Sequence, residues 1–307
     1  MSGRVRNGVL AASVVVLFAA AAASIYYWKF GRAVSPESLL AGLPGKDGAV
    51  VYLDVRALRV AGVLDSVGGA AGAEEPDYKA FVAVTKFNYR EDLDAVAAAY
   101  RDGDVYILAA GRFDWASLRN YALTQSGKCT DDLCRMASSQ PGRTITFFLK
   151  SSGVMALSVS NRADAAAAFR QSQPVFAGAV SKQPMWISLP GALLKGDEKV
   201  PSGTRLFAKI LESTQRVSFA FGTRGTAFEI SMDAVCVSDK DAEAALNQFD
   251  GVTEVMRKYI ARVNKTPGPD ELAGVLMGGV FHREGTRVIG TWPVERAFLN
   301  NLTGGSR

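Results

Sequence analysis

Residues 94–113, DAVAAAYRDGDVYILAAGRF, contain two apolar runs separated by a short polar turn. An apolar run of this length between turn residues is typical of a β-strand. The turn contains Asp102-Gly103, the residue pair that two-residue hairpin turns prefer. The stretch therefore predicts a β-hairpin, and a helix is expected to follow it in DWASLRNYALT.

The order of strand, glycine-containing turn, strand and helix occurs three more times. These units cover 144–171 (TITFFLK, SSG, VMALSVS), 216–263 (RVSFAFG, TRG, TAFEISMDAVCV) and 277–302 (MGGVFH, REG, TRVIGTW), and each ends in a helical segment. Glycine accepts the positive φ that a hairpin turn requires. The four helices are predicted to begin at capping residues or a proline, namely Asp114, Asn161, Ser238 and Pro293.

Two similar openings divide the chain into halves. VYLDVRAL (51–58) and WISLPGAL (186–193) both resemble a strand that runs into a helix. Residues 49–172 and 184–303 would then each contain one lead strand and two hairpin–helix units, which we interpret as an internal duplication. Residues 33–48 are rich in Gly, Pro and Ser and are predicted to be a linker.

The predicted fold class is α+β. Successive hairpins form antiparallel sheet, and the intervening helices must bury an apolar stripe against it. We expect an N-terminal transmembrane helix followed by one or two antiparallel sheets built from repeated β-hairpin–helix units, with the helices on one face.

Residues 8–28, GVLAASVVVLFAAAAASIYYW, carry no charged side chain. A helix of this segment would be about 31 Å long, which matches the hydrocarbon core of a bilayer. Cations on both sides and aromatic residues at one end are typical of a transmembrane helix. The apolar and aromatic residues assigned to this membrane anchor are Val9, Leu10, Val14, Val15, Val16, Leu17, Phe18, Ile25, Tyr26, Tyr27 and Trp28.

The anchor is expected to be retained, with residues 1–32 forming a cytoplasmic N-terminus and the transmembrane helix. A cleaved signal peptide is the alternative, because Ala21-Ala22-Ala23 provides a small-residue cleavage site. Apolar sequence continues past that site to Trp28, which favours retention. The basic N-terminus favours a single-pass protein of the cell membrane whose C-terminal domain is extracytoplasmic, in the periplasm.

The charge distribution gives little support for nucleic-acid binding. The formal net charge is +5, and four cations without any anion lie in residues 1–32, so the remainder is close to neutral. No run of Lys and Arg interleaved with aromatic residues is present. Nucleic acid is therefore not expected as a partner.

Cys129 and Cys134 lie five positions apart in KCTDDLCR, around a turn-forming Asp-Asp pair. Across a tight hairpin such a pair can meet disulfide geometry, and we predict a disulfide. Free thiols and a zinc site are the alternatives. Zinc would need two further ligands, and the only histidine, His282, is distant in sequence. Cys236 is predicted to be a buried strand residue.

Catalytic motifs are almost absent. We find no phosphate-binding loop, no Gly-x-Ser-x-Gly, no His-Glu-x-x-His and no Cys-x-x-Cys. The protein is therefore predicted not to be an enzyme and to need no cofactor or metal. Asp92 and Asp94 flank Leu93 and are the candidates for a carboxylate-dependent hydrolase. Asp54 is predicted to cap a helix, and His282 to be an exposed or hydrogen-bonded strand residue.

Two aromatic pairs, Phe147-Phe148 and Phe219 with Phe221, are predicted to be core residues. The alternative is an apolar cavity lined by these rings, which would suit a lipid or lipoprotein carrier.

Two segments resemble a family of uncharacterised bacterial single-pass membrane-anchored envelope proteins. The first is LPGKDGAVVYLDVRALR (43–59), a Leu-Pro, strand, Asp-Val and Ala-Leu opening after the N-terminal helix. The second is KFNYREDLDAV (86–96), which is similar to a Gly-Phe-Asp…Asp-Leu motif and departs from it at Lys86 and Asn88. The resemblance implies an envelope location and supplies no catalytic residue.

These observations predict a membrane-anchored extracytoplasmic binding or scaffold protein of the bacterial cell envelope. Its partners would be the lipid bilayer, through the N-terminal helix, and an envelope protein or lipid. A lipid or lipoprotein carrier and a carboxylate-dependent hydrolase are the two alternatives.

Replacing Val16 by Asp tests the anchor. A charge near the middle of the bilayer is unfavourable by about 2.5–3.5 kcal/mol on insertion scales. We expect the variant to leave the membrane fraction while a Val16→Leu control stays in it, as measured by membrane fractionation. Normal membrane recovery of the Asp variant would contradict the assignment.

Overall fold

A computed structural model describes residues 34–64, 76–195, 204–224, 227–262, 267–268 and 271–303. The predicted anchor, residues 8–28, lies outside these ranges. Among the helices of the described ranges, none combines the length and the apolar character needed to cross a membrane. The described residues from Pro36 onward form one compact unit.

The described residues form one twelve-stranded sheet in which every pairing is antiparallel. Its strand order is β11-β12-β10-β9-β8-β1-β2-β3-β7-β6-β5-β4. The strands are β1 (Ala49–Asp54), β2 (Leu93–Arg101), β3 (Asp104–Gly111), β4 (Lys128–Thr130), β5 (Leu133–Ala137), β6 (Thr144–Ser151), β7 (Val154–Ser160), β8 (Met185–Leu189), β9 (Arg216–Arg224), β10 (Ala227–Val235), β11 (Val280–Glu284) and β12 (Arg287–Val294).

Helices alternate with these strands, so the predicted α+β class is confirmed. The α-helices are α1 (Pro36–Ala41), α2 (Val55–Val60), α3 (Pro76–Thr85), α4 (Tyr89–Asp92), α5 (Trp115–Thr124), α6 (Arg205–Leu211), α7 (Asp239–Arg262), α8 (Leu272–Met277) and α9 (Arg296–Thr303). Two 3₁₀ helices cover Ala165–Arg170 and Gly191–Leu194.

The predicted hairpin at 94–113 is confirmed as β2–β3. Arg101 pairs with Asp104, and the two residues between them, Asp102 and Gly103, have φ values of 52° and 86°. These positive values are what a tight hairpin turn demands, and Asp and Gly tolerate them. Local sequence thus determines this turn.

The two halves of the sheet have the same strand order. In the first half β1 pairs with β2, β3 with β7 and β7 with β6; in the second β8 pairs with β9, β10 with β12 and β12 with β11. The short hairpin β4–β5 extends only the first half. Strands β1 and β8 pair at the centre, so one continuous sheet spans both halves. Internal duplication would produce this order, and it stays a prediction.

Helices cover both faces of the sheet, so the expectation of a single covered face is wrong. On the face that we call face A, Phe169 of the first 3₁₀ helix contacts Tyr106 and Phe148, with ring centroids 5.7 and 6.1 Å apart. On the opposite face B, Trp115 of α5 contacts Phe147 at 5.8 Å. Both faces of the sheet carry apolar side chains, and helices pack on each of them.

The predicted linker contains helix α1, which corrects the assignment of residues 33–48. Leu39, Leu40 and Leu43 are almost completely buried, and the buried Lys46 ammonium donates a 2.6 Å hydrogen bond to the Leu40 carbonyl. The Gly, Pro and Ser content of this segment suggested a linker. Three buried leucines instead attach it to the domain.

Two of the four predicted helix starts are confirmed. Asp114 accepts a hydrogen bond from the Ala116 amide at the start of α5, and Ser238 accepts one from the Asp241 amide at the start of α7. The other two predictions are wrong. The first 3₁₀ helix begins after Asp164 rather than Asn161, and Pro293 lies inside β12, beyond the segment paired with β11, where a missing amide is tolerated.

The predicted disulfide between Cys129 and Cys134 is confirmed. The two residues are direct partners on β4 and β5, with Cα atoms 4.0 Å apart. Cys134 is fully buried and packs with Leu118 and Phe147 under α5. Cys236 is buried, as predicted, and lies immediately after β10.

Removing this disulfide should lower stability. For so short a loop the chain-entropy relation gives a loss of about 2 kcal/mol in the free energy of unfolding. We expect Cys129→Ser/Cys134→Ser to show that loss in chemical denaturation. Reductant should destabilise the unaltered protein by a similar amount and leave the variant unchanged. Equal stability of both proteins without reductant would contradict the prediction.

Candidate ligand-binding site

A cavity of about 300 Å³ lies on face B in the second half of the domain. Strands β9, β10 and β12 form its floor, and helices α6, α7 and α8 form its walls. Among the described residues that line it, twelve of thirteen are apolar, and the exception is Thr204. The lining residues are Leu194, Thr204, Phe207, Ala208, Leu211, Phe219, Ile230, Met232, Phe249, Leu272, Val275, Leu276 and Trp292.

The long helix α7 positions one wall of the cavity. Its buried residues Ala242, Ala245, Phe249 and Thr253 recur every three or four positions, which places them on one side of the helix. Phe249 stacks on Phe207 of α6, with ring centroids 6.0 Å apart. The small side chains of Ala242 and Ala245 let the first part of the helix lie close to the sheet. The large ring of Phe249, further along the helix, forms part of the cavity wall.

The described lining of the cavity carries no ionised group. None of the thirteen described residues is an acid, a base, a histidine or a cysteine. Leu272 lines the cavity while 39% of its surface is exposed, so the cavity reaches the protein surface beside α8. The described lining therefore favours the burial of an apolar molecule.

The structure brings one of the four predicted aromatic residues to this cavity. Phe219 lines it, whereas Phe221 stacks on Phe228 in the same core cluster, with centroids 5.7 Å apart. Phe147 lies in a separate cluster under α5, and Phe148 lies on face A. Alternation along β6 sends these two neighbours to opposite faces.

The predicted hydrolase carboxylates do not approach the cavity. Asp92 forms an ion pair with Arg112 at 2.9 Å and accepts the Asn88 amide at 2.8 Å. Neither Asp92 nor Asp94 is among the cavity-lining residues. The first of them therefore has a structural role at the start of β2.

Two smaller predictions are confirmed. Asp54 caps α2 by accepting the Ala57 amide at 2.7 Å. His282 lies on the exposed strand β11, with its Nε2 atom 3.3 Å from the Glu284 carboxylate. In the described ranges, no group of three or more His, Cys, Asp or Glu side chains is arranged to hold a metal ion.

A buried polar network centred on Asp104 was not among the predictions from the sequence. Its carboxylate accepts hydrogen bonds from the Ser160 hydroxyl at 2.5 Å, the Arg162 guanidinium at 2.6 Å and the Tyr106 hydroxyl at 3.2 Å. The available signal was that Asp104 and Tyr106, two residues apart on one strand, share a face.

Opposing effects act on the Asp104 carboxyl. Burial alone would raise its pKa, but the hydrogen bonds from Ser160 and Arg162 and the charge of Arg162 outweigh it, so the pKa lies below the ordinary value. Burial and the Asp104 charge raise the pKa of the Tyr106 hydroxyl. The carboxylate is thus held ionised by partners inside the fold, which is a stabilising arrangement.

Asp104→Asn should therefore destabilise the protein near neutral pH. Hydrogen bonds to a charged group contribute about 1–3 kcal/mol, and we expect a loss of that order in denaturant unfolding. Because the pKa is lower in the folded state, the contribution is complete above the ordinary aspartate pKa of about 3.9 and is lost as pH falls through the folded-state pKa.

The difference between Asp104→Asn and the unaltered protein should accordingly shrink in acid. Asp102→Asn, in the adjacent exposed turn, is the matched control and should change stability little. Equal losses for the two variants at neutral pH would contradict the assignment.

No protein-family model and no curated protein sequence matches the chain. Among solved structures, crystal form I of TP0453 aligns with a TM-score of 0.48 and 10% identity, over 87% of this chain and 96% of that one. Crystal form IV of TP0453 aligns with a TM-score of 0.44 and 11% identity, over 90% of this chain and 100% of that one. Scores below 0.5 carry no argument about function.

Proposed function

We propose that this chain is a membrane-anchored, extracytoplasmic binding protein of the bacterial cell envelope that holds a lipid in the cavity on face B. It acts by binding, without catalysis. The observation that carries the proposal is the apolar lining of the cavity, in which twelve of thirteen residues are hydrophobic.

The size of the cavity supports a small apolar ligand. Its volume of about 300 Å³ lies at the lower end of the range for small-molecule sites. Apolar cavities of roughly half that size stay dry and bind apolar molecules such as benzene. Because an empty cavity forfeits packing contacts, a ligand that fills it gains them without competing with ordered water.

The lining also selects against other ligand classes. A charged group placed inside the cavity would lose its hydration and meet no counter-ion among the thirteen described residues, so the ionised head group of a ligand has to stay at the opening. A catalytic role would require a titratable or nucleophilic side chain at the ligand, and among the thirteen described lining residues only Thr204 carries a hydroxyl. An acyl chain requires neither.

Two features support the proposed location. The segment 8–28 has the length and composition of a membrane anchor. The Cys129–Cys134 disulfide fits an oxidising compartment such as the periplasm. A protein held there beside a bilayer would have acyl chains within its reach.

Photo-crosslinking of the full-length chain in lipid nanodiscs tests the proposal. The probe is dodecanoic acid that carries a diazirine at the end of its chain. We expect it to label peptides from α6, β9 and β12, and unlabelled dodecanoic acid to compete. Ala208→Phe should fill the cavity and weaken the labelling by about tenfold, or about 1.4 kcal/mol.

Leu123→Phe, on the exposed surface of α5, is the control and should label normally. Thermal unfolding should show that Ala208→Phe stays folded, because the cavity accepts the added ring. Labelling confined to residues 8–28, or undiminished labelling of a folded Ala208→Phe variant, would refute the proposed site.

A further inference from the structure

We infer that the ligand is a long linear acyl chain that leaves the cavity at Phe219 and continues across the centre of the sheet on face B. This inference rests on the proposed function and specifies its ligand. It follows from the register of the strands and from the exposure of two residues between the cavity and the first half of the domain.

An apolar row runs from the cavity across five neighbouring strands. Direct register partners in antiparallel strands point to the same face of a sheet. Each residue of the row is the direct partner of the next, so all of them share face B with the cavity. In order from the cavity, the row consists of Phe219, Ile187, Val51, Ala98 and Ile107.

The middle of this row is open to solvent. Val51 is 39% exposed and Ile187 36% exposed, although β1 and β8 are the central strands of the sheet. Their neighbours Tyr52 and Trp186, on face A, are each 1% exposed. Face A is therefore closed over these strands, whereas face B leaves two β-branched apolar side chains uncovered.

The arrangement of the helices explains this opening. Helices α6, α7 and α8 cover the second half of face B, and α5 covers β5 and β6 in the first. These two groups belong to separate core clusters. Among the described residues, the row between the clusters is left as an apolar strip that continues directly from the Phe219 wall of the cavity.

The shape of the strip favours a linear ligand. Neighbouring strands lie about 4.8 Å apart, so the four steps from Phe219 to Ile107 span about 19 Å. On one side of the strip, Leu53 packs against the core cluster that contains Val55 and Leu58 of α2. A strip that is long and has no charged side chain among its five residues matches an extended hydrocarbon chain.

Competition in full-length chain nanodiscs tests the strip. Octanoic, dodecanoic and hexadecanoic acids compete with the photoreactive dodecanoic acid described above. In the unaltered protein, hexadecanoic acid should compete about tenfold better than dodecanoic acid. Full burial of the four extra methylenes, at roughly fourfold each, would give an advantage of about 250-fold, and the half-open strip gives less.

Val51→Thr/Ile187→Thr is the decisive variant. Threonine keeps the β-branched shape that strands prefer and places hydroxyl groups along the strip. We expect competition by hexadecanoic acid to weaken about tenfold relative to the unaltered protein, with dodecanoic acid unchanged. Each acid partitions into the lipid to the same extent in identical nanodiscs, so this partitioning does not affect the comparison between variants. Leu123→Thr, distant from the row, is the control.

The outcomes separate the two proposals. If dodecanoic acid binds in the cavity but the double variant leaves hexadecanoic acid unaffected, the strip is refuted and the cavity proposal stands. If no acid competes in any variant, the proposed function fails.

A second measurement asks what covers the strip. We expect the thiol of Ile187→Cys to react with maleimide in the ligand-free protein and to be protected by hexadecanoic acid. An unreactive thiol without ligand would mean that another occupant, such as a further part of the chain or a second copy, already lies there, and would overturn the inference.

Discussion

The pairing of β1 with β8 is the constraint on which the rest of the structure depends. Tyr52 and Trp186 are direct partners in this pair, and their rings stack 5.7 Å apart with almost no exposure. Without it, each half would leave its lead strand as an open edge with unpaired backbone groups. Phe176 then covers Trp186 at 5.8 Å. Arg216, at the start of β9, donates to the carbonyls of residues 47 and 48 before β1, which fastens the two halves together.

The same topology produces different interiors in the two halves. In the first half, α5 and the disulfide hairpin bring Leu118, Phe147 and Cys134 into one packed cluster. In the second half, the equivalent strands lie under the separate helices α6, α7 and α8, and a cavity remains between them. Strand order therefore does not determine the cavity. The cavity results from the helices that each half places on face B. It is therefore a feature of this sequence and not of the repeated strand pattern.

Local features of the fold were readable from sequence, and non-local ones were not. The β2–β3 hairpin and the Asp114 cap were predicted because a few adjacent residues determine them. The central pairing of β1 with β8 depends on residues more than a hundred positions apart. An apolar cavity was an alternative from the sequence, but most of its lining escaped prediction because residues such as Phe207, Phe249 and Trp292 come from separate elements. Of the residues that line the cavity, only Phe219 was predicted from sequence as a possible lining residue. Alternation along a β-strand gives the face on which Phe219 lies, but it does not give the helices that pack over that face.

The wide sequence separation of the two lead strands has a consequence for biosynthesis. Leu53 on β1 pairs with Met185 on β8, which emerges from the ribosome about 130 residues later. At translation rates of about 5–20 residues per second, that delay is roughly 7–26 seconds. During this interval β1 offers its backbone groups to any strand nearby. When newly made copies lie close together, β1 of one copy would pair with β8 of another. Correct folding therefore requires that nascent chains be kept apart.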